Sequence, residues 1–294
     1  MPKVWVKDPA DHTWKPAKQV YVNIGGGTGG WTSLRKGYVN QGGVNKLFYP
    51  DYQGNVTYNV PGLYYYTVPN GITSLQFIVA GAGGGGGGHD GGGPGHPGYA
   101  GNIVNFTSNV TPGNIYLCAV GAPGVNGYFS GSAVGGAGGA ITNALFKGGQ
   151  GGNAGASGAS GSGGGGGMAS YVLTVASNTS VTGSNVAVAA GGGGGGGAGR
   201  FSDGYGQAAT SYNSTSDGAQ GTSKSGDGAG GGGGGGGYTY GGAGGALTGG
   251  DNGAYSGING QNLIPSGGSV SIGTNGGAAE TTGGGGYITI VPII

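Results

Sequence analysis

Five stretches of unbroken glycine constrain this chain more than any other feature: residues 83–88, 163–167, 191–197, 230–237 and 283–286. Ordering glycine costs more backbone entropy than ordering any other residue, on the order of 1–2 kcal/mol each. Such runs are therefore ordinarily linkers. Their placement argues otherwise. Runs 83–88 and 191–197 follow apolar, strand-like segments, and 283–286 leads into the last one. A glycine chain can adopt an extended left-handed helix with three residues per turn, rising ~3.1 Å per residue. Six residues then span roughly 19 Å, the length of an ordinary strand. Without side chains such helices can pack closely, with N–H and C=O groups bonding between neighbours and weak Cα–H contacts adding to them. A Cβ at a facing position would force the array apart, which accounts for the rare alanines, as in "GGAGGA". The expectation is a set of packed polyglycine II segments.

Composition narrows the alternatives. There are 86 glycines but 12 prolines and no G-X-Y period, which excludes collagen. Hydrophobic residues make up 35% of the chain and there are 18 tyrosines, too many for a disordered polypeptide. Charged residues are 6% with a net charge of +1, which argues against a nucleic-acid partner and against an acidic tail. No stretch approaches the ~18 apolar residues that span a membrane, and the first residues lack a signal-peptide core. The expectation is a protein made in a cytoplasm, outside the general secretory route and not inserted in a membrane. The single cysteine, Cys118, lies in the apolar "NIYLCAVGA" and reads as a buried, inert thiol.

Two regions follow from the composition, 1–52 and 53–294. Seven of the ten Lys and Arg residues and all three tryptophans precede residue 52. In the first region "WVK" at 5–7 and "YVN" at 21–23 and 38–40 recur, each followed by a returning aromatic: Trp14, Trp31 and Phe48. Turn formers lie between, so three tandem β-hairpins are expected. A lone hairpin is marginal in water. Trp5, Trp14, Tyr21, Trp31, Tyr38 and Phe48 therefore serve either to dock the region on a larger structure or to form a small aromatic core. The second region is read as an all-β, glycine-rich sandwich. Its strands are 62–68, 74–80, 102–108, 114–121, 170–176, 185–190, 269–272 and 287–294, rich in β-branched and aromatic residues.

The segment "LQFIVAGAGGGGGG" contains GxGxxG after a strand, the form of a dinucleotide-binding turn. That turn needs a following helix to hold the pyrophosphate, and "HDGGGPGHPG" cannot start one. The single GGxGxD at 85–90 lacks the tandem copies of a calcium repeat. His12, His89 and His96 lack metal-ligand spacing, and Glu280, the one glutamate, has no paired carboxylate. No cofactor is expected and no enzyme. What remains are aromatic loops mixing Tyr with Ser, Asn and Gly, a composition suited to adaptable contacts. The candidate contact residues are Tyr99, Tyr128, Phe129, Phe201, Tyr205, Tyr212, Tyr238, Tyr240 and Tyr255. The same rings could instead cover the edges of a glycine-rich core.

The segment "YYYTVPNGITSLQFIVAGAGGGGGG", with the closing "GGGGYITIVPII", resembles the glycine-rich domain of bacteriophage tail and fibre proteins. The N-terminal "YVN…GG…W" pattern is similar to short hairpin repeats of phage tail proteins, and the multiple runs are distantly similar to polyglycine-sandwich phage adhesins. The resemblance implies a virion protein of the tail, a fibre or receptor-binding component. Its hairpins would hold other tail proteins and its loops would meet a host receptor, a polysaccharide or an outer-membrane protein. A homotrimer is expected, as for many fibres. The alternative is a decoration, baseplate or scaffold protein with no receptor role. Ice binding by a flat glycine face would require regular Gly-X-X repeats, which this reading does not find.

Overall fold

The computed structural model describes residues 54–130, 133–155, 160–207 and 215–293, together with the backbone of six short strands in the first 49 residues. Those six pair in sequence as antiparallel couples: β1 (Trp5–Lys7) with β2 (Trp14–Pro16), β3 (Tyr21–Asn23) with β4 (Trp31–Ser33), and β5 (Gly37–Gln41) with β6 (Val44–Tyr49). Their side chains, including those of Trp5, Trp14, Tyr21, Trp31, Tyr38 and Phe48, lie outside the described residues.

The larger strands that follow are β7 (Val56–Tyr58), β8 (Gly62–Thr67), β9 (Ser74–Ala80), β10 (Asn102–Asn109) and β11 (Ile115–Val120). Then come β12 (Phe129–Ser130), β13 (Ser160–Gly161), β14 (Ser170–Val175), β15 (Ser184–Ala189), β16 (Tyr205–Gln207), β17 (Tyr255–Ser256), β18 (Ser269–Ile272) and β19 (Tyr287–Ile293). No helix occurs among the described residues. Two antiparallel sheets, ordered β18-β10-β9-β19-β7 and β15-β14-β11-β8, form a sandwich. All eight strands read from the sequence are present. β7, which the sequence reading missed, is three residues long and adjoins the compositional boundary.

Strict alternation sets the faces. Leu75, Phe77 and Val79 of β9 and Ile288 and Ile290 of β19 are buried, while the residues between them are half-exposed. They meet Tyr116, Cys118, Val120 and Val172 of the second sheet in one core, where Phe77 stacks on Phe106 at 5.1 Å. A second cluster, with Leu117, Tyr171 and Leu173, covers the outer face of that sheet under Phe146. The turn "VTPGN" behaves as its residues dictate. Asn114 N–H donates to the Thr111 carbonyl at 3.0 Å, Pro112 precedes Gly113, and Gly113 takes φ +87°, as a type II turn requires. β7 covers only the first half of β19, and Pro292 in the uncovered half has no N–H to offer.

Four glycine runs continue from this sandwich and bond to one another. In the run that extends β9, Ala82, Gly85 and Gly88 donate to Met168, Gly165 and Ser162. Gly84 and Gly87 donate to Tyr99 and His96, and Gly83 and Gly86 to Gly284 and Thr281. In each set the donor advances by three while the acceptor falls by three, so these neighbours run antiparallel. The carbonyls of Ala82, Gly85 and Gly88 accept from Gly192, Gly195 and Ala198, and those of Gly83 and Gly86 from Gly124 and Gly127. There both partners advance by three, so those neighbours are parallel. Runs 163–167 and 230–237 bond in the same period: Gly230, Gly233 and Gly236 donate to Gly161, Gly164 and Gly167. The N–H groups of Gly191, Gly194 and Gly197 reach the carbonyls of Gly236, Gly233 and Gly230.

The glycines are there because the backbones nearly touch. A Cβ at Gly84 or Gly87 would press on the carbonyls of Gly193 and Gly196, one at Gly83 or Gly86 on those of Asn275 and Ala278, and one at Gly85 or Gly88 on those of Val125 and Tyr128. Every one of these approaches is below the 3.0 Å that real Cβ atoms keep. All three side-chain directions of the run are thus occupied by backbone. Peripheral segments have fewer covered directions and fewer glycines. In "GGAGGA", Gly135 and Gly138 face one neighbour, Gly136 and Gly139 another, and Ala137 faces solvent. Gly95, Gly98 and Gly101 each face the first run. This corrects the sequence reading, which found no Gly-X-X repeat. Two short ones exist, at 95–101 and 121–127, because a segment lying on one neighbour needs glycine only every third residue.

Polar side chains plug the junctions between sheet and runs. The buried Ser170 hydroxyl accepts from Gly121 N–H at 2.9 Å and donates to the Ala80 carbonyl at 2.6 Å. Asn262 accepts from Ala190 N–H, and Asn275 bridges Gly101 N–H and the Gly81 carbonyl. A buried peptide group without a partner costs about 1–3 kcal/mol, so each plug replaces a bond the sheet no longer supplies.

Candidate functional site

The four runs have one end fixed and one end free. β9 runs into 81–88 and β15 into 191–198, while 163–167 leads into β14 and 283–286 into β19. The ends remote from the sandwich are mutually bonded: Gly88 to Ser162, Ala198 to Gly88, Gly161 to Ala198, and Gly230 to Gly161. Loops 89–94, 199–204, 223–229, 248–253 and 278–282 cover this end. They hold one another: Gly204 N–H donates to Pro94, Phe201 N–H to Asp251, and Gly253 N–H to the Ser202 hydroxyl.

Tyr128, Phe129, Phe201 and Tyr205 lie at or beside the free end and are 53%, 42%, 72% and 38% exposed. Tyr255 is half-buried with its ring 5.3 Å from that of Tyr205. The other candidates are elsewhere. Tyr99 sits midway along its segment, half-buried and stacked on His96 at 5.5 Å. Tyr238 and Tyr240 lie at the sandwich end. Tyr238 packs on the second core with its ring 6.4 Å from Phe146, and Tyr240 is exposed. Tyr212 lies outside the described residues.

Sequence reasoning passed over the polar half of this surface. Of the nine charged residues that follow residue 53, Lys147 and Asp217 lie together at the sandwich end. Asp90, Arg200, Asp203, Lys224, Asp227, Asp251 and Glu280 all lie on the free-end loops. His89 stacks on Phe129 at 4.6 Å while its Nδ1 meets the Glu280 carboxylate. The Arg200 guanidinium sits 5.7 Å from the Phe201 ring centroid. Asp251 is engaged by Arg200 N–H at 3.2 Å, and the Lys224 ammonium donates to the carbonyls of Thr248 and Gly250. The signal was present in the sequence: outside the first region, charge avoids both strands and glycine runs.

The arrangement suits recognition by stacking and by hydrogen bonds. Among the described residues no group of three His, Cys, Asp or Glu side chains is placed to hold a metal ion. Cys118 is buried in the sandwich, and burial pushes its thiol up to about 12, so it stays protonated at neutral pH. A cleft of about 490 Å³ lies at the opposite pole of the sandwich, lined by Tyr58, Tyr65, Tyr66 and Asn70 among others. No helix among the described residues is long and apolar enough to cross a membrane. Compared with known proteins, the chain matches no family model and no curated sequence.

Proposed function

We propose that the chain is a structural protein of a bacteriophage tail, a fibre or receptor-binding component that meets the host through the free end of its glycine-rich layer. The supporting observation is polarity. One end of the runs is continuous with a sandwich, and the other gathers exposed aromatic rings and most of the charge of residues 54–293 on mutually braced loops. Loops on a rigid frame are where binding residues concentrate. In this reading the runs are polyglycine II helices, a description supported by the three-residue period of their bonds and, in the four longer runs, by backbone contacts in all three side-chain directions. The three N-terminal hairpins are the repeats that attach the molecule to other tail proteins, and the working form is a homotrimer. It needs no cofactor and performs no catalysis.

Purified protein should adhere to host cells, and antibodies raised against it should block phage adsorption. Absence of both effects would reduce the molecule to a decoration or baseplate protein. A reconstruction of the intact particle places it directly: a distal position with residues 1–52 against the tail supports adhesion, and an internal or lattice position ends that reading.

A further inference from the structure

The charge of the free end has a sign. Its loops carry five carboxylates and two cations besides His89. One of those cations, Lys224, is spent on two backbone carbonyls, and the other, Arg200, lies 5.7 Å from the Phe201 ring centroid and leaves the opposite face of that ring for a partner. Asp203, Asp227 and Glu280 are exposed, and Asp203 and Glu280 stand near the exposed rings of Phe201 and Phe129. The ring of Phe129 is reached from Glu280 through His89. On the other side, loop 89–93 touches both Asp203 and the backbone of Arg200 and Ser202, which places Phe201 on the same surface. An aromatic face and a carboxylate both attract cations, the first through its quadrupole and the second through its charge. The same surface repels phosphate groups. Lipopolysaccharide cores and anionic lipids are therefore the wrong sign for it.

We infer that the free end docks on a basic protein surface, whose arginine and lysine side chains lie over Phe129 and Phe201 and pair with Asp203, Asp227 and Glu280. Arginine suits this best, because its planar fork can bind a carboxylate and stack on a ring at once. The inference rests on the reading that the free end is the contacting end, and it chooses between the receptor classes left open there.

The test uses the full chain immobilised on a sensor and three probes: a folded arginine- and lysine-rich protein (a histone dimer), phosphatidylglycerol vesicles, and chitosan as a cationic sugar polymer. The protein probe should bind best and weaken about tenfold between ~0.05 and ~0.3 M salt. Combining Asp203→Asn, Asp227→Asn and Glu280→Gln should cost about tenfold, whereas Asp217→Asn, the same kind of change at the sandwich end, should cost nothing. Phe201→Leu keeps apolar bulk without the ring and should cost about threefold. Stronger binding of the vesicles or of chitosan overturns the inference, as does a triple variant that binds like the parent. Circular dichroism of each variant shows whether the fold is retained. The host-adhesion reading fails separately, by absence of adhesion to host cells and of an antibody block on adsorption, whatever the protein probe does.

Discussion

A methyl group placed on Gly85 would press on the Val125 carbonyl, which is itself bonded to Gly165. Neither partner can yield without breaking a bond. Gln150 lies on a segment of the same kind but faces solvent, between Gly149 and Gly151, which face neighbours. These two positions therefore answer differently to the same substitution. Gly85→Val should destabilise by about 3 kcal/mol, while Gln150→Val should stay within about 0.5 kcal/mol. Denaturant melts of the two variants measure the contrast. Equal effects would mean that run 83–88 is an accommodating loop. At this scale glycine content is a direct readout of burial. In the four longer runs three glycines in three mark a segment enclosed in every side-chain direction, whereas the short run 283–286 leaves Gly284 exposed; two in three mark "GGAGGA" and "GGQGGN", and one in three marks "GHPGYAG".

A run is also a phased element. Because Gly191, Gly194 and Gly197 share one neighbour and Gly192, Gly195 and Ala198 share another, inserting one residue redirects every donor beyond it. Inserting three restores the phase. One glycine added after Gly194 should thus lower the melting temperature more than three glycines added at the same place, a reversal of the usual cost of insertion length. A monotonic loss with length would contradict a three-residue period. The strands were readable because period-two alternation and "VPNG" and "VTPGN" turns are local signals. Which run lies beside which was not, because that depends on pairs such as Ala82 with Gly192. The site was legible in the same proportion. Tyr128, Phe129, Phe201 and Tyr205 stand out as aromatic loop residues, but that His89 reaches Glu280, 191 positions away, is information held only by the folded array. Tyr238 shows the converse, a loop tyrosine used to seal the second core.

Across the whole molecule, stability comes from two unlike sources: an apolar sandwich and a backbone lattice. The sandwich buries titratable groups in their neutral forms. Burial raises Cys118 from an ordinary 9.0 to about 12, and raises Tyr116 and Tyr171 as well. Between pH 9 and 12 the unfolded chain releases the Cys118 proton while the folded chain keeps it, so the free energy of unfolding falls as pH rises. Stability should be flat through neutral pH and fall above about pH 9. Cys118→Ala should flatten the first part of that fall without abolishing it, since the tyrosines contribute at higher pH. Thermal melts from pH 7 to 11 measure both slopes, and an unchanged slope in the variant would assign the alkaline loss elsewhere.

The lattice is made mostly of peptide groups, with a few side chains such as Asn259 and Ser256 accepting from Gly193 and Gly196, and this bears on how such a molecule can change over generations. Apart from a few such as Asp251, which accepts from the Ser160 hydroxyl, side chains at the free end take little part in the bonds that hold the frame, and a glycine in the frame has no side chain through which to influence the rim. Variation in the loops therefore carries little structural penalty, while variation in the runs is heavily penalised. Heritable diversity should collect at one end of the molecule, leaving the rest to be inherited nearly intact.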